Sequence, residues 1–179
     1  MKIEYPRFET QVFAASPGVA GLFADLPAAR HALFEEGIPK EIFGGGYSAD
    51  VDLTVHERDG RGPIVRFGSS GLAGMLAIDL SNGHVIKVID VPAKPMLLVN
   101  TTVDQFTLTV RAMTERFPYY AKTAEYEEMD RIAEELRGIV RSIDEKAAVP
   151  GCYWSAFIDD VQDGNFATED ILAWQMGQS

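Results

Sequence analysis

The segment Met75–Asp90 narrows the possible folds more than any other part of the chain. Two runs rich in aliphatic and β-branched residues, Met75–Leu80 and His84–Asp90, flank the dipeptide Asn82-Gly83. Asn-Gly between such runs is the strongest short-range hairpin signal, because both positions of a two-residue turn need positive φ. A two-residue turn sets Leu80 opposite Val85, Ile78 opposite Lys87 and Leu76 opposite Ile89. The other face then carries Ala77 and Asp79 against Val88 and Ile86. Both faces are mostly apolar, which predicts a hairpin inside a sheet covered on at least one side by helices.

Strand signals continue on both sides. Val51, Leu53 and Val55 alternate with Asp52 and Thr54, the pattern of a half-exposed strand. Ile64–Phe67 reads as a second strand ended by Gly68, and Met96–Val99 as one more beyond Pro92 and Pro95. Helical patterns bracket this region. Asp25 as a cap, Pro27 in the first turn and the stop Gly37-Ile38-Pro39 predict a short helix with Leu26, Ala29 and Leu33 toward the core. Gly44, Gly45 and Gly46 read as a flexible loop.

After Asn100, Thr101 and Asp104 resemble a capping box. Val103, Phe106, Val110, Met113 and Phe117 then share one helical face, and Pro118 stops the run. Tyr126, Met129, Ala133, Leu136, Val140 and Ile143 form a second stripe, with Glu127→Arg131 and Arg141→Glu145 as ion pairs on the wet side. Tyr153, Trp154, Phe157, Ile158 and Val161 suit a helix ending at Gly164, and Thr168 caps a last turn or two containing Leu172 and Trp174. Helix, strands, then helices is an α+β order: a central, largely antiparallel sheet with N-terminal and C-terminal helices packed around it. The 179 residues, 46% of them hydrophobic, suit a single domain over 1–179 with a core that needs no staples.

Residues that carry chemistry do not converge. His31, His56 and His84 lack the i,i+4 spacing of a helical zinc site, and Cys152 is the one cysteine, so neither a metal nor an internal disulfide is predicted. The glycine-rich stretch Gly68–Gly74 lacks the Lys-Ser/Thr of a phosphate loop and leads into a strand rather than a helix. For the same reason it is no nucleophile elbow. Glu35-Glu36, Glu127-Glu128 and Asp159-Asp160 are sequence neighbours, which do not face each other on a helix. Asp79, between Ile78 and Leu80, is the acid that stands out, since a carboxylate in an apolar strand needs partners or a shifted pKa. Asp79 with a convergent histidine is the one enzymatic reading left. The residues therefore predict no catalysis and no cofactor.

Charge is more informative. Sixteen Lys and Arg against 27 Asp and Glu leave a net −11. From Ala147 onward Asp159, Asp160, Asp163, Glu169 and Asp170 occur with no Lys or Arg. Such a surface repels nucleic acid and attracts a basic protein, so these five are the candidate partner-binding residues; plain solubility is the alternative. Tyr153, Trp154, Phe157 and Trp174 fit either the core or an interface with an apolar centre. No apolar run approaches the roughly 20 residues that span a bilayer. MKIEYPRFET carries acids and lacks the apolar stretch of a signal peptide, so the cytoplasm is the expected compartment and no membrane partner is expected.

Four pieces in order resemble a family. They are LFEEGIP (Leu33–Pro39), IVRFG (Ile64–Gly68), AIDLSNGHVIKVID (Ala77–Asp90) and LVNTTVDQF (Leu98–Phe106). The last is similar to a Val-Asn-Ser-Ser-x-x-x-Phe signature that opens a helix, with Thr101-Thr102 in place of the commoner serines. The set resembles the SUKH superfamily of immunity proteins, most of all its fourth group, across roughly half of the chain. The resemblance implies an α+β fold, no catalysis, no cofactor, and a role in bacterial polymorphic toxin systems. There such proteins bind and neutralise a cognate toxin, often a nuclease or nucleic-acid deaminase and usually basic. On this reading Gly68, Asp79, Gly83, Asn100 and Phe106 define the fold rather than the function. The alternative is a regulatory or scaffolding module that uses the same fold to bind an endogenous protein. The residues after Pro118 rest on their own pattern.

Overall fold

The computed structural model describes residues 7–42, 46–58, 60, 62–71, 74–89 and 96–177, with side chains described up to residue 174. Asp59, Asp90, Pro92, Pro95 and the glycines 44 and 45 lie outside that set. The chain opens with β1 (Thr10–Gln11), α1 (Pro17–Gly21) and α2 (Pro27–His31), which runs on into a π-helical turn, Ala32–Glu36. Gly37, at φ 89°, ends that turn. Ala29 and Leu33 are buried and Leu26 packs against the core, as the stripe predicts. The cap differs: Leu26, not Asp25, occupies the N-cap, with Pro27 as the first helical residue and no side-chain cap bond.

β2 (Ile38–Pro39) pairs with β1, and a six-stranded antiparallel sheet follows in chain order. Its strands are β3 (Glu41–Ile42), β4 (Tyr47–His56), β5 (Ile64–Ser70), β6 (Gly74–Asp79), β7 (Val85–Ile89) and β8 (Leu97–Asn100). Val65, Phe67, Leu76, Ile78, Val85 and Val99 face the helices in the main core. Ile64, Ala77 and Ile86, with Met75, Val88 and Met96 around them, form a small second cluster on the other face.

The β6–β7 hairpin exists, but with another turn. Asp79 N donates to His84 O at 2.9 Å and Gly83 N to Asp79 O at 2.7 Å, so Leu80–Gly83 makes the turn. Gly83 supplies its positive φ, at 77°. Ile78 pairs with Val85 and Leu76 with Lys87, a register two residues from the expected one. A slip of two keeps every side chain on its predicted face, since strand side chains alternate with a period of two. The Asp79 carboxylate selects the longer turn: Oδ1 accepts from Ser81 N at 2.9 Å and from Ser81 Oγ at 2.6 Å.

β5 does not stop at Gly68 but continues to Ser70. A Cβ on Gly68 would run into the Tyr47 ring and lie 2.6 Å from Ser48 O, so glycine here serves close strand approach rather than termination. Beside it the ladder is irregular on both sides. Ala49 pairs with Gly68 and Thr54 with Arg66, leaving residues 50–53 of β4 opposite Phe67 alone. On the β6 side Arg66 pairs with Ala77 and Gly68 with Leu76, so Phe67 is itself a bulged residue. Phe67 is drawn into the core, edge-on to Tyr47 at 5.8 Å and Phe106 at 5.6 Å between ring centroids. The β4 residues opposite it form an arch outside the β4–β5 ladder. The apolar row of the alternating Val51–Val55 segment is split: Leu53 packs against the core, while Val51 is 86% exposed.

α3 (Val103–Arg116) buries Val103, Phe106, Val110 and Met113, and Phe117 follows them into the core. Its cap sits one residue later than the sequence suggests. Thr102 Oγ1 accepts from Gln105 N at 3.1 Å, so Gln105 rather than Asp104 stands at the third helical position. Thr101 instead donates its backbone N–H to Asp144 Oδ2 at 2.6 Å. α4 (Tyr126–Ile143) buries Ile132, Ala133, Leu136 and Val140, while Tyr126 at the start of the stripe is 77% exposed. Arg131 reaches Glu135 at 3.8 Å rather than the expected Glu127. A 3₁₀ turn (Glu145–Ala148) leads to α5 (Tyr153–Gln162) and α6 (Thr168–Gly177), which is longer than the predicted turn or two. Thr168 does not cap it by its side chain: the hydroxyl donates to Tyr120 O at 2.7 Å.

Candidate partner-binding surface

The buried face of α5 places its acids. Tyr153, Trp154, Phe157, Ile158 and Val161 all enter the core, which turns Asp159, Asp160 and Asp163 out to solvent. The aromatic cluster is thus core, and Trp174, 42% exposed on α6, is the member left at the surface. Tyr120 clasps the α5–α6 connection. Its hydroxyl donates to Val161 O at 2.6 Å and accepts from Phe166 N at 3.0 Å, while its carbonyl accepts from Thr168 N at 2.9 Å. This clasp brings Glu169 and Asp170, also exposed, onto the same C-terminal region.

Bases from distant parts of the chain meet these acids. Arg137 on α4 donates to Asp159 Oδ1 at 3.0 Å and to Glu134 at 2.7 Å. Burial works against the Arg137 charge, but the Asp159 and Glu134 carboxylates outweigh it and raise the pKa. Lys122 donates its backbone N–H to Glu169 at 2.8 Å and its ammonium to Asp170 at 2.7 Å, and the Asp170 contact raises the ammonium pKa. Lys87 on β7 lies 5.3 Å from the Tyr153 ring centroid. Burial lowers its pKa, opposed by the nearby Asp160 charge. The local −5 read along the sequence is therefore diluted in space. Asp163 occupies the C-cap of α5, where the helix dipole disfavours a carboxylate.

The other acids singled out by sequence separate. Asp79 is held through both oxygens, by Ser81 on Oδ1 and by Arg58 Nη2 on Oδ2 at 2.8 Å. Burial would push its pKa up, but the Ser81 hydroxyl, Arg58 and the Ser81 amide together bring it below the usual value. This is a structural ion pair across the outer face of the sheet. No histidine hydrogen-bonds to it: His31 pairs with Glu35 at 3.0 Å and Glu36 at 3.2 Å, His84 gives its backbone N–H to Asn82 Oδ1 at 2.8 Å, and the buried His56 Nε2 has no partner among the described residues. Asp50 is gripped by Arg66, while Asp52 stands exposed on the β4 arch. Among the described residues no three His, Cys, Asp or Glu gather as a metal site would need, and no helix is long and apolar enough to cross a membrane.

Sequence reasoning missed Arg137, Lys122 and Val51. The first two carry no signal, since their partners lie 22 and 48 residues away. Val51 sits in a pattern that reads as half-buried, and only the bulge reveals it.

Asn100 is the centre of a buried polar hub. Its side chain donates to Asp144 Oδ2 at 3.2 Å and Thr109 Oγ1 at 3.3 Å, and Trp154 Nε1 donates to its Oδ1. The hub ties β8, α3, the end of α4 and α5 together, and the signature residue Phe106 is buried in the core against Tyr47 and Phe67. No curated protein and no solved structure matches the chain. The family model of the SUKH-4 immunity protein matches residues 14–160. That span holds the meander, the Asn100 hub and α5 up to Asp160. The chain belongs to the SUKH-4 immunity protein family.

Proposed function

We propose that this chain acts in the cytoplasm as an immunity protein against a basic toxin that attacks nucleic acid, a nuclease or a deaminase. It neutralises the toxin by stoichiometric binding, without catalysis or cofactor and without touching nucleic acid itself. Family membership supports immunity against a toxin. The observation that favours a basic target is the C-terminal half of α5, where Asp159, Asp160 and Asp163 stand exposed at the negative end of a helix. Acids there oppose the dipole by roughly 0.3–1 kcal/mol each, a cost that the Arg137 pair offsets for Asp159. With Glu169 and Asp170 they add to a net charge of −11. Such a field accelerates encounter with a basic partner and occupies positions that phosphates take in its groove.

The test has two stages. Among toxin domains screened by co-expression, this chain should protect cells against a cognate one, and the purified pair should form a stable complex. Replacing Asp159, Asp160, Asp163, Glu169 and Asp170 by Asn or Gln should then slow association at low salt and flatten its salt dependence. Unchanged rate and salt slope would remove these five residues as the steering surface.

A further inference from the structure

We infer that the arch of β4, residues 50–53, is a preformed docking point for the basic toxin, with Val51 as its apolar anchor. The inference rests on the immunity reading above and names a contact surface for it. Four residues of β4 stand opposite Phe67 alone, so this segment leaves the ladder, with Leu53 against the core and Val51 turned to solvent. Bulges of this kind re-aim side chains and end pairing. Here the re-aimed side chain is a valine 86% exposed, the most exposed large hydrophobic among the described residues. A strand valine gains its stability from packing, and Val51 packs on little within its own chain.

The arch is held rather than loose. Arg66 Nε and Nη2 grip Asp50 Oδ2 and Oδ1 at 2.6 and 3.2 Å from the outer face of β5. Gln11 Nε2 donates to Asp50 O at 2.5 Å from the N-terminal side. These contacts fix the residue before Val51 by side chain and by carbonyl, so little conformational entropy remains to be lost when a partner binds. Two further apolar side chains flank the region: Val12, next to Gln11, is 52% exposed, and Val55 is 38% exposed. Asp52, next to Val51, is exposed, while Asp50 is held by Arg66. An apolar anchor beside an exposed carboxylate is the complement of an apolar pocket with a Lys or Arg at its edge.

The charge decides between occupants. A second copy of this chain would bring its own net −11, and antiparallel pairing along β4 would set Asp50 and Asp52 against like charges. Edge acids of this kind discourage self-pairing. A basic toxin meets no such penalty.

The experiment uses the full chain and, as probe, a catalytically inactivated form of the toxin domain against which co-expression of this chain protects cells. Val51→Lys and Asp52→Lys are made separately, with the five-acid variant above as comparator. Circular dichroism and urea midpoints should match the parent, since both side chains are exposed. Val51→Lys should weaken binding by about tenfold or more, mainly through faster dissociation. Asp52→Lys should slow association and reduce its salt dependence. Parent-like affinity in both variants, with the parent chain binding tightly, overturns the arch and leaves the immunity reading intact. Failure of the parent chain itself to bind the toxin domain overturns both. Sedimentation showing a parent dimer that Val51→Lys dissolves assigns the arch to self-association and overturns the proposal.

Discussion

Trp154 Nε1 donates to Asn100 Oδ1 at 2.9 Å, and both residues are fully buried. The bond joins the last strand of the sheet to α5 across 54 residues. Asn100→Ala leaves the indole N–H without its acceptor and removes donors from Asp144 and Thr109. Buried groups left unpaired cost about 1–3 kcal/mol each. The variant should therefore lose roughly 2–4 kcal/mol by urea denaturation. A loss below about 1 kcal/mol would show that the hub does not hold α5 in place.

Gly68 and Gly138 should respond to alanine with opposite signs. A Cβ at Gly68 meets the Tyr47 ring and the Ser48 carbonyl, both fixed in place, so Gly68→Ala should cost about 1–3 kcal/mol. Gly138 lies inside α4, and a methyl group added there would find nothing within 4 Å, so Gly138→Ala should gain about 0.5–1 kcal/mol. Paired thermal melts of the two variants decide the matter by sign alone.

Acid should weaken the outer face of the sheet through Asp79. Ser81 and Arg58 hold this carboxyl below its usual pKa in the folded chain. Its contribution is complete above the unfolded carboxylate range near pH 4 and disappears as pH falls through the lower folded value. Asp79→Asn should be the less stable protein at neutral pH, and the gap to the parent should narrow on acidification. Urea midpoints that stay parallel between about pH 7 and pH 3 would separate this ion pair from acid sensitivity.

The cap of α3 offers a sharper discrimination. Thr102 accepts from Gln105 N at 3.1 Å, so Thr102→Ala should cost about 1 kcal/mol, while Thr102→Ser should cost little. Equal losses in the two variants would assign the cost to the lost methyl group rather than the cap.

How much of this was legible in the sequence depends on the range of the interaction involved. The α+β order, the α3 stripe from Val103 to Phe117 and the faces of β6 and β7 follow from local periodicity, and the structure agrees. The turn at Asn82-Gly83 did not follow, because Asp79 reaches forward to Ser81 and lengthens it, a side-chain event that dipeptide preference omits. Thr101 and Thr102 look alike as caps until Asp144, from the far end of α4, takes the Thr101 amide. The candidate acids were legible as residues but not as an electrostatic surface. Arg137 and Lys122 reach them from elsewhere in the fold, and Phe67, by entering the core, displaces the β4 arch that exposes Val51.

The strand order of the large sheet equals the chain order. Each strand pairs with the one made just before it, so the entropy of closing each connection stays small, and short-range closure favours rapid folding. The meander needs nothing beyond Asn100, whereas the hub waits for Trp154 to arrive from 54 residues further along. This topology predicts that the sheet's strand pairing forms before α5 docks on it. The large sheet, from Glu41 to Asn100, is thus a unit of neighbouring segments, whereas α5 is tied to it by contacts that span 54 residues at Asn100 and 107 at Gly46.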